Sequence, residues 1–293
     1  MGELISLGTA LCWTLTVVGF ESAGKRVGSL SVNIIRLVIG FMLLSITLFI
    51  IDGTFLPINI MNQDILWLSI SGFIGLLIGD LFLFQAFVDV GGRISLLIYS
   101  STPIISAVLG WFVFGEILVF QDILGMVITL SAISFVILLR QSNKQEQHKH
   151  ITRGILFAFL GAIAQAIGLV FSKLGLADNY SAFAATQVRI IPAIFGFLLF
   201  ITLKRGWKDV GSALKNKTAM MYIGLGSIFG PFLGVSSSLL ALRYTSLGIS
   251  TTIAQLNVIL IIPFSVWLFK EKVNVSEMIA AVVALVGVAL LFT

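Results

Sequence analysis

The chain repeats itself at an offset of 155 residues, and what repeats is apolar. Glu116 closes the run 94–114, and Glu271 closes the run 249–269. The same offset carries Gly75 onto Gly230, Gly79 onto Gly234, Ala86 onto Ala241, Ile94-Ser95 onto Ile249-Ser250 and Val127 onto Val282 without a gap. Apolar runs predict helices over 3–23, 32–51, 65–88, 94–114 and 120–140 in the first half. In the second they predict helices over 153–174, 181–203, 218–242, 247–269 and 274–293. Each run is long enough to cross a bilayer, which takes about 20 apolar residues. Five crossings is an odd number, so the second half must enter the membrane upside down relative to the first. The expected fold class is therefore all-α integral membrane, with ten transmembrane helices as two inverted five-helix repeats. These repeats occupy 1–140 and 153–293, joined by a polar linker over 141–152.

Only 11% of the residues are charged and 58% are hydrophobic, whereas soluble domains are about 25% charged. The ten runs leave no length for a soluble domain, so function must reside in the bundle, as a multi-pass protein of the cell membrane. A net charge of +5 does not argue for nucleic acid, because the basic residues gather in loops. Fourteen of the 18 Lys and Arg fall in the odd-numbered loops, from Lys25 and Arg26 to Lys270 and Lys272, against Arg243 alone on the other side. Arg36, Lys173 and Arg189 lie within spans. The excess of positive charge in cytoplasmic loops puts the odd loops inside and both termini outside. Cys12 is the only cysteine, and His148 and His150, both in the linker, are the only histidines. Neither a disulfide nor a His/Cys metal site is expected, and no cofactor. Met1-Gly2-Glu3 supplies no basic segment, so the first helix is expected to remain as a span rather than act as a cleaved signal.

Small residues every fourth position mark helix 3 (Ser71, Gly75, Gly79) and helix 8 (Gly226, Gly230, Gly234, Ser238). Such a groove lets another backbone approach closely, and the two helices are expected to cross near the pseudo-symmetry axis. Pro103, Pro192, Pro231 and Pro263 lie inside spans, each removing a backbone donor. Pro231, followed by Ser236-Ser237-Ser238, is the expected flexing point of helix 8.

Helices 4 and 9 are the polar ones. Ser95, Tyr99, Thr102 and Ser106 share one face of helix 4, and Ser250 and Asn257 occupy the matching face of helix 9. Thr102 and Asn257 are repeat equivalents that could meet across the axis, although interhelical glue is a competing role. Trp13 and Gln165 are equivalents midway along helices 1 and 6 and could wall a cavity. An ionisable group at mid-bilayer costs at least ~2.5 kcal/mol unless paired or wetted. Asp80, beside the Gly75/Gly79 groove, is therefore the first candidate for ion coupling, and Glu21 the next. Arg36 and Arg189 are equivalents for which snorkelling or ion pairing is the expectation.

Helix 4 runs Leu-Ile-Tyr-Ser-Ser-Thr-Pro103 through Leu-Gly-Trp-Phe-Val-Phe-Gly-Glu116, and an aliphatic fifth helix with Gly125 follows. With Arg36 and Arg189 in helices 2 and 7, this pattern resembles the EamA domain of the drug/metabolite transporter superfamily over nearly the whole chain. In the second half Val258 replaces Pro103, and Pro263 follows five residues later, so helix 9 is expected to kink elsewhere. The resemblance implies a ten-helix carrier whose cavity lies between helices 1, 3, 4, 6, 8 and 9, with helices 5 and 10 behind. It also implies export of small metabolites, amino acids first, with H+ as a coupling ion, although family members commonly have cytoplasmic termini. The substrate-binding residues expected are Trp13, Asp80, Tyr99, Thr102, Gln165, Ser237 and Asn257. A multidrug efflux carrier is the alternative. An integral-membrane enzyme has only Glu116, Asp122, Glu271 and Glu277 in its favour, and Glu116 and Glu271 are expected instead to fix the loops after helices 4 and 9.

Overall fold

A computed structural model describes residues 1–57, 60–139, 151–177, 180–261 and 275–292, with the side chains of Val18, Glu21, Lys25, Phe87, Val88, Arg93 and Leu139 outside the described set. Glu271, Pro263 and most of the polar linker lie outside it too. Every regular element among the described residues is helical. The first half comprises α1 (Gly2–Val27), α2 (Ser29–Asp52), α3 (Asn62–Ser71), a π-helical segment (Gly72–Gly79), α4 (Asp80–Tyr99), α5 (Thr102–Phe114) and α6 (Phe120–Leu139). The second comprises α7 (Ile151–Leu174), α8 (Ala182–Leu203), α9 (Trp207–Lys215), α10 (Lys217–Ser227), a second π segment (Ile228–Gly234), α11 (Val235–Ala241), α12 (Leu247–Ala254) and α13 (Val275–Leu290). Among the described residues eight helices are long and apolar enough to cross a membrane, and the apolar helices Leu247–Ile261 and Val275–Leu290 are shorter.

Local chemistry sets several of the ends. The side chains of Ser181, Asn216 and Ser246 accept hydrogen bonds from the backbone N–H groups of Ala184, Ala219 and Ile249, capping α8, α10 and α12. Gly28, at φ 78°, turns the corner between α1 and α2, which a side chain would strain. The loop expected over 204–217 instead contains the amphipathic α9, which buries Val210 and Ala213 and leaves Trp207 and Leu214 exposed beside Lys208 and Lys215. A short amphipathic helix with basic residues suits the membrane surface.

The grooves of helices 3 and 8 do not receive each other. The α3–π–α4 span lies against α7, and the α10–π–α11 span lies against α1, so each half packs its grooved helix on the first helix of the other. Gly154, Gly161 and Gly168 in α7, and Gly175 just after it, recur every seventh residue and form the seam. A β-carbon added to Gly168 would come within 2.8 Å of the Gly75 Cα, and one on Gly175 within 2.9 Å of the Asp64 carbonyl oxygen. Real β-carbons are not found that close, so glycine is what permits backbone-to-backbone packing here. Gly226 and Gly230 serve the other contact, against Phe20 and Thr16 of α1. Behind these, α6 packs on α13 through Gly125 and Gly287, with Ile133, Val136, Ala284 and Val288 in one apolar cluster.

Candidate functional site

Four interruptions of helical geometry fall at matched positions in the two halves. The π segments Gly72–Gly79 and Ile228–Gly234 occupy the same register under the 155-residue offset. The turn at Ser100-Ser101, between α4 and α5, corresponds to the turn at Gln255-Leu256. The expectation that helix 9 kinks elsewhere is thus corrected: Val258 stands where Pro103 stands, yet the break keeps its place. Tight i to i−3 bonds take over at both turns, from the Ser101 N–H to the Ile98 carbonyl (3.0 Å) and from the Leu256 N–H to the Ile253 carbonyl (3.0 Å). π bulges and broken helices leave backbone groups free of the helical ladder, and they cluster at functional sites in membrane proteins.

Next to the first pair of interruptions lies a charged cluster. The Arg36 guanidinium of α2 donates to the Asp80 carboxylate at the start of α4, and it also stacks over the Phe20 ring of α1 at 5.4 Å. Both members of the pair are largely buried, with side-chain exposures of 11% and 17%. Tyr99 lies within Coulombic reach of both charges. On the other side of the π segment, a methyl group built on Gly75 would sit 3.6 Å from the Gln165 Oε1 and 3.7 Å from the Arg189 Nη2. Gly79 faces Ala164 and the Gln165 backbone. The Arg36–Asp80 pair thus stands at the end of the π segment, while Gln165 and Arg189 approach Gly75 within it.

The remaining predicted residues sit as follows. Thr102 donates to the Tyr99 carbonyl at 2.6 Å, bracing the turn rather than meeting Asn257. The Asn257 Oδ1 is buried without a hydrogen-bond partner, as is the Ser106 Oγ. Ser237 accepts from Thr9 at 2.9 Å and Ser6 donates to Ser250 at 3.0 Å, so α1 is tied to α11 and α12. Trp13 is half-buried, and no hydrogen bond or ring contact among the described residues joins it to the cluster. Glu21 lies in α1, with its side chain outside the described set. Arg36 pairs as one of its expected roles required. Arg189 neither snorkels nor pairs, being 2% exposed with no ion pair among the described residues.

At one end of the bundle Glu116 gathers three elements. Its Oε1 accepts from the Lys173 Nζ of α7 at 2.5 Å, and its Oε2 accepts from the Leu247 N–H at the start of α12 at 3.0 Å. The carboxylate folds back over Gly110, where a β-carbon would overlap it, so this glycine makes room for the glutamate six residues on. Nearby, burial pushes the Tyr180 hydroxyl up from its ordinary range, keeping it a neutral donor to the Gly175 carbonyl. Arg243 donates to the carbonyls of Ala177 (2.5 Å) and Tyr180 (2.6 Å). At the opposite end of α7, Arg153 grips Asp89 with two bonds of 2.8 and 2.7 Å. A surface cavity of about 460 Å³ beside α9, lined by Arg26, Ser31, Gly206 and Asp209 among others, shares no residue with the charged cluster.

Among the described residues no group of three or more His, Cys, Asp or Glu could hold a metal. No curated protein matches the chain. A solved crystal structure of a protein, 15% identical to it, superposes with a TM-score of 0.76 over 99% of this chain and 96% of its own, which is a likeness of fold. The family described as the EamA-like transporter family matches residues 1–138 and again 152–293. Together these matches cover almost the whole length, and the chain belongs to the EamA-like transporter family as a multi-pass membrane transporter.

Proposed function

We propose that the chain is a secondary carrier that exports small amphipathic metabolites, amino acids first, by alternating access. In this reading all ten apolar helices cross the bilayer, in two inverted halves, and the substrate sits among Trp13, Asp80, Tyr99, Thr102, Gln165, Ser237 and Asn257. The observation that carries it is the matched set of interruptions: two π segments and two helix breaks in one repeat register, beside buried polar groups. Carriers bind at mid-depth, where discontinuous helices present unbonded backbone groups to the solute. The orphaned Asn257 Oδ1 supports a role in polar recognition, since a buried acceptor without a partner costs free energy that a ligand could recover. Loop charges favour cytoplasmic odd loops, and basic α9 lies on that side. A cysteine introduced at position 146, in a Cys12→Ala background, should accordingly be unreachable from outside.

Asp80 is the proposed coupling group, with H+ the ion. A proton on Asp80 would release Arg36, so protonation and the arrangement of helices 2 and 3 are linked through one contact. The test removes both charges together, as Arg36→Gln with Asp80→Asn, so that neither is left alone. Purified protein in proteoliposomes should still bind a solute selected by thermal-shift screening of metabolites, yet lose accumulation under an imposed pH gradient. Normal gradient-driven accumulation would make Asp80 structural and pass the role to Glu21.

A further inference from the structure

The most deeply buried cation of the described bundle has no counter-charge among the described residues. Arg189 heads the largest fully buried side chains, at 2% exposure. Its Nε is buried without a partner, and among the described residues the guanidinium takes part in no hydrogen bond, ion pair or ring contact. Proteins rarely bury a charge unpaired, because the lost hydration must be returned by a partner.

The repeat shows what is missing. In the first half Arg36 has Asp80. The register that aligns Gly75 with Gly230 and Gly79 with Gly234 carries Asp80 onto Val235, which is buried and apolar. The adjacent Ser236 donates to the Thr186 hydroxyl at 3.1 Å, one turn before Arg189, so α11 runs beside that part of α8. The protein thus supplies the carboxylate in one half and leaves it out of the other. Among the described residues no acid takes its place: Arg189 Nη2 and Gln165 Oε1 both approach Gly75, which has no side chain.

Building on the carrier reading, we propose that Arg189 is the subsite for an anionic substrate group, a carboxylate, which would supply the counter-charge that Asp80 gives Arg36. The planar guanidinium matches a carboxylate with two parallel bonds. The Gln165 amide stands on the same spot, able to accept from an ammonium or hydroxyl next to that carboxylate. The solute class is a small carboxylate with an adjacent donor. Because Arg189 is sealed from solvent in this arrangement, the solute is held occluded between the halves.

The test uses the full chain in lipid nanodiscs and reads thermal unfolding, with acetate as the probe and chloride at equal ionic strength as the reference. Acetate should raise the midpoint of the wild type in a saturable way beyond chloride. Arg189→Met should raise the midpoint without any probe, by removing an unpaired buried charge, and weaken the acetate response about thirtyfold or more. Equal responses to acetate and chloride in the wild type would overturn the assignment, as would a fall in the midpoint on Arg189→Met. A wild type that responds to acetate through Arg189 but moves no solute in proteoliposomes would sink the carrier reading and leave the anion subsite standing.

Discussion

Asp80→Leu is expected to lower the unfolding free energy by roughly 3–5 kcal/mol, because it abandons a buried guanidinium. Arg36 has no alternative acid within hydrogen-bond distance among the described residues, and its Nε is already unsatisfied. Adding Arg36→Met to the same chain should recover most of the loss, since replacing both members of a buried pair by apolar groups is often neutral or stabilising. An exposed pair would behave differently, with each single change worth at most about 1 kcal/mol. Thermal or denaturant unfolding of the two single variants and the double variant in nanodiscs decides between these outcomes. Equal, small effects for all three would show that water reaches the pair freely.

The second large effect is expected at Gly72. Its backbone is ordinary α geometry, with φ −65°, so nothing about its torsions calls for glycine. What calls for it is the Arg189 carbonyl oxygen, which an added β-carbon would overlap, with the Arg189 Cα at 2.8 Å. No side-chain rotation relieves a clash with backbone, so Gly72→Ala must push α8 away from helix 3 and is expected to cost about 3 kcal/mol or more. Gly224→Ala is the control. A β-carbon there meets nothing within 4 Å, and in the interior of α10 alanine should be stabilising by roughly 0.8–1 kcal/mol. If Gly72→Ala and Gly224→Ala unfold at the same temperature, α8 is not packed on helix 3 as described.

These positions show what can and cannot be read from the chain alone. Apolar length sets the spans, and the 155-residue register is visible because Glu116, Gly75, Gly79 and Ile94-Ser95 recur as identical residues. The resemblance to the EamA domain set helices 5 and 10 behind the others, and α6 does pack on α13; Glu116, expected to fix the loop after helix 4, holds Lys173 and the Leu247 N–H. The partners of the grooved helices were not legible. Gly154, Gly161, Gly168 and Gly175 recur every seven residues, a spacing that reads as a seam only once the facing backbone is known. π segments arise from packing and from small residues and carry little local signal, although Pro231 lies within one of them. The Gln255-Leu256 turn has no proline of its own, so composition could not place it. Arg36 and Arg189 look alike in sequence, yet Arg36 meets Asp80, a residue far along the chain, and Arg189 meets no acid among the described residues.

Alternating access through the level of the broken helices is tested most directly by the reactivity of one position. Asn257→Cys in a Cys12→Ala background places a thiol beside the turn in helix 9. Glu116→Cys and Lys173→Cys, joined by a bifunctional maleimide after the thiol at position 257 has been reversibly protected, lock the end that those side chains now bridge. The account predicts that a membrane-impermeant thiol reagent reaches position 257 from both sides in the unlocked protein. After locking and deprotection, reaction from the Glu116 side should cease while reaction from the other side continues. A thiol unreachable from either side, or one still reached through the locked end, would contradict it.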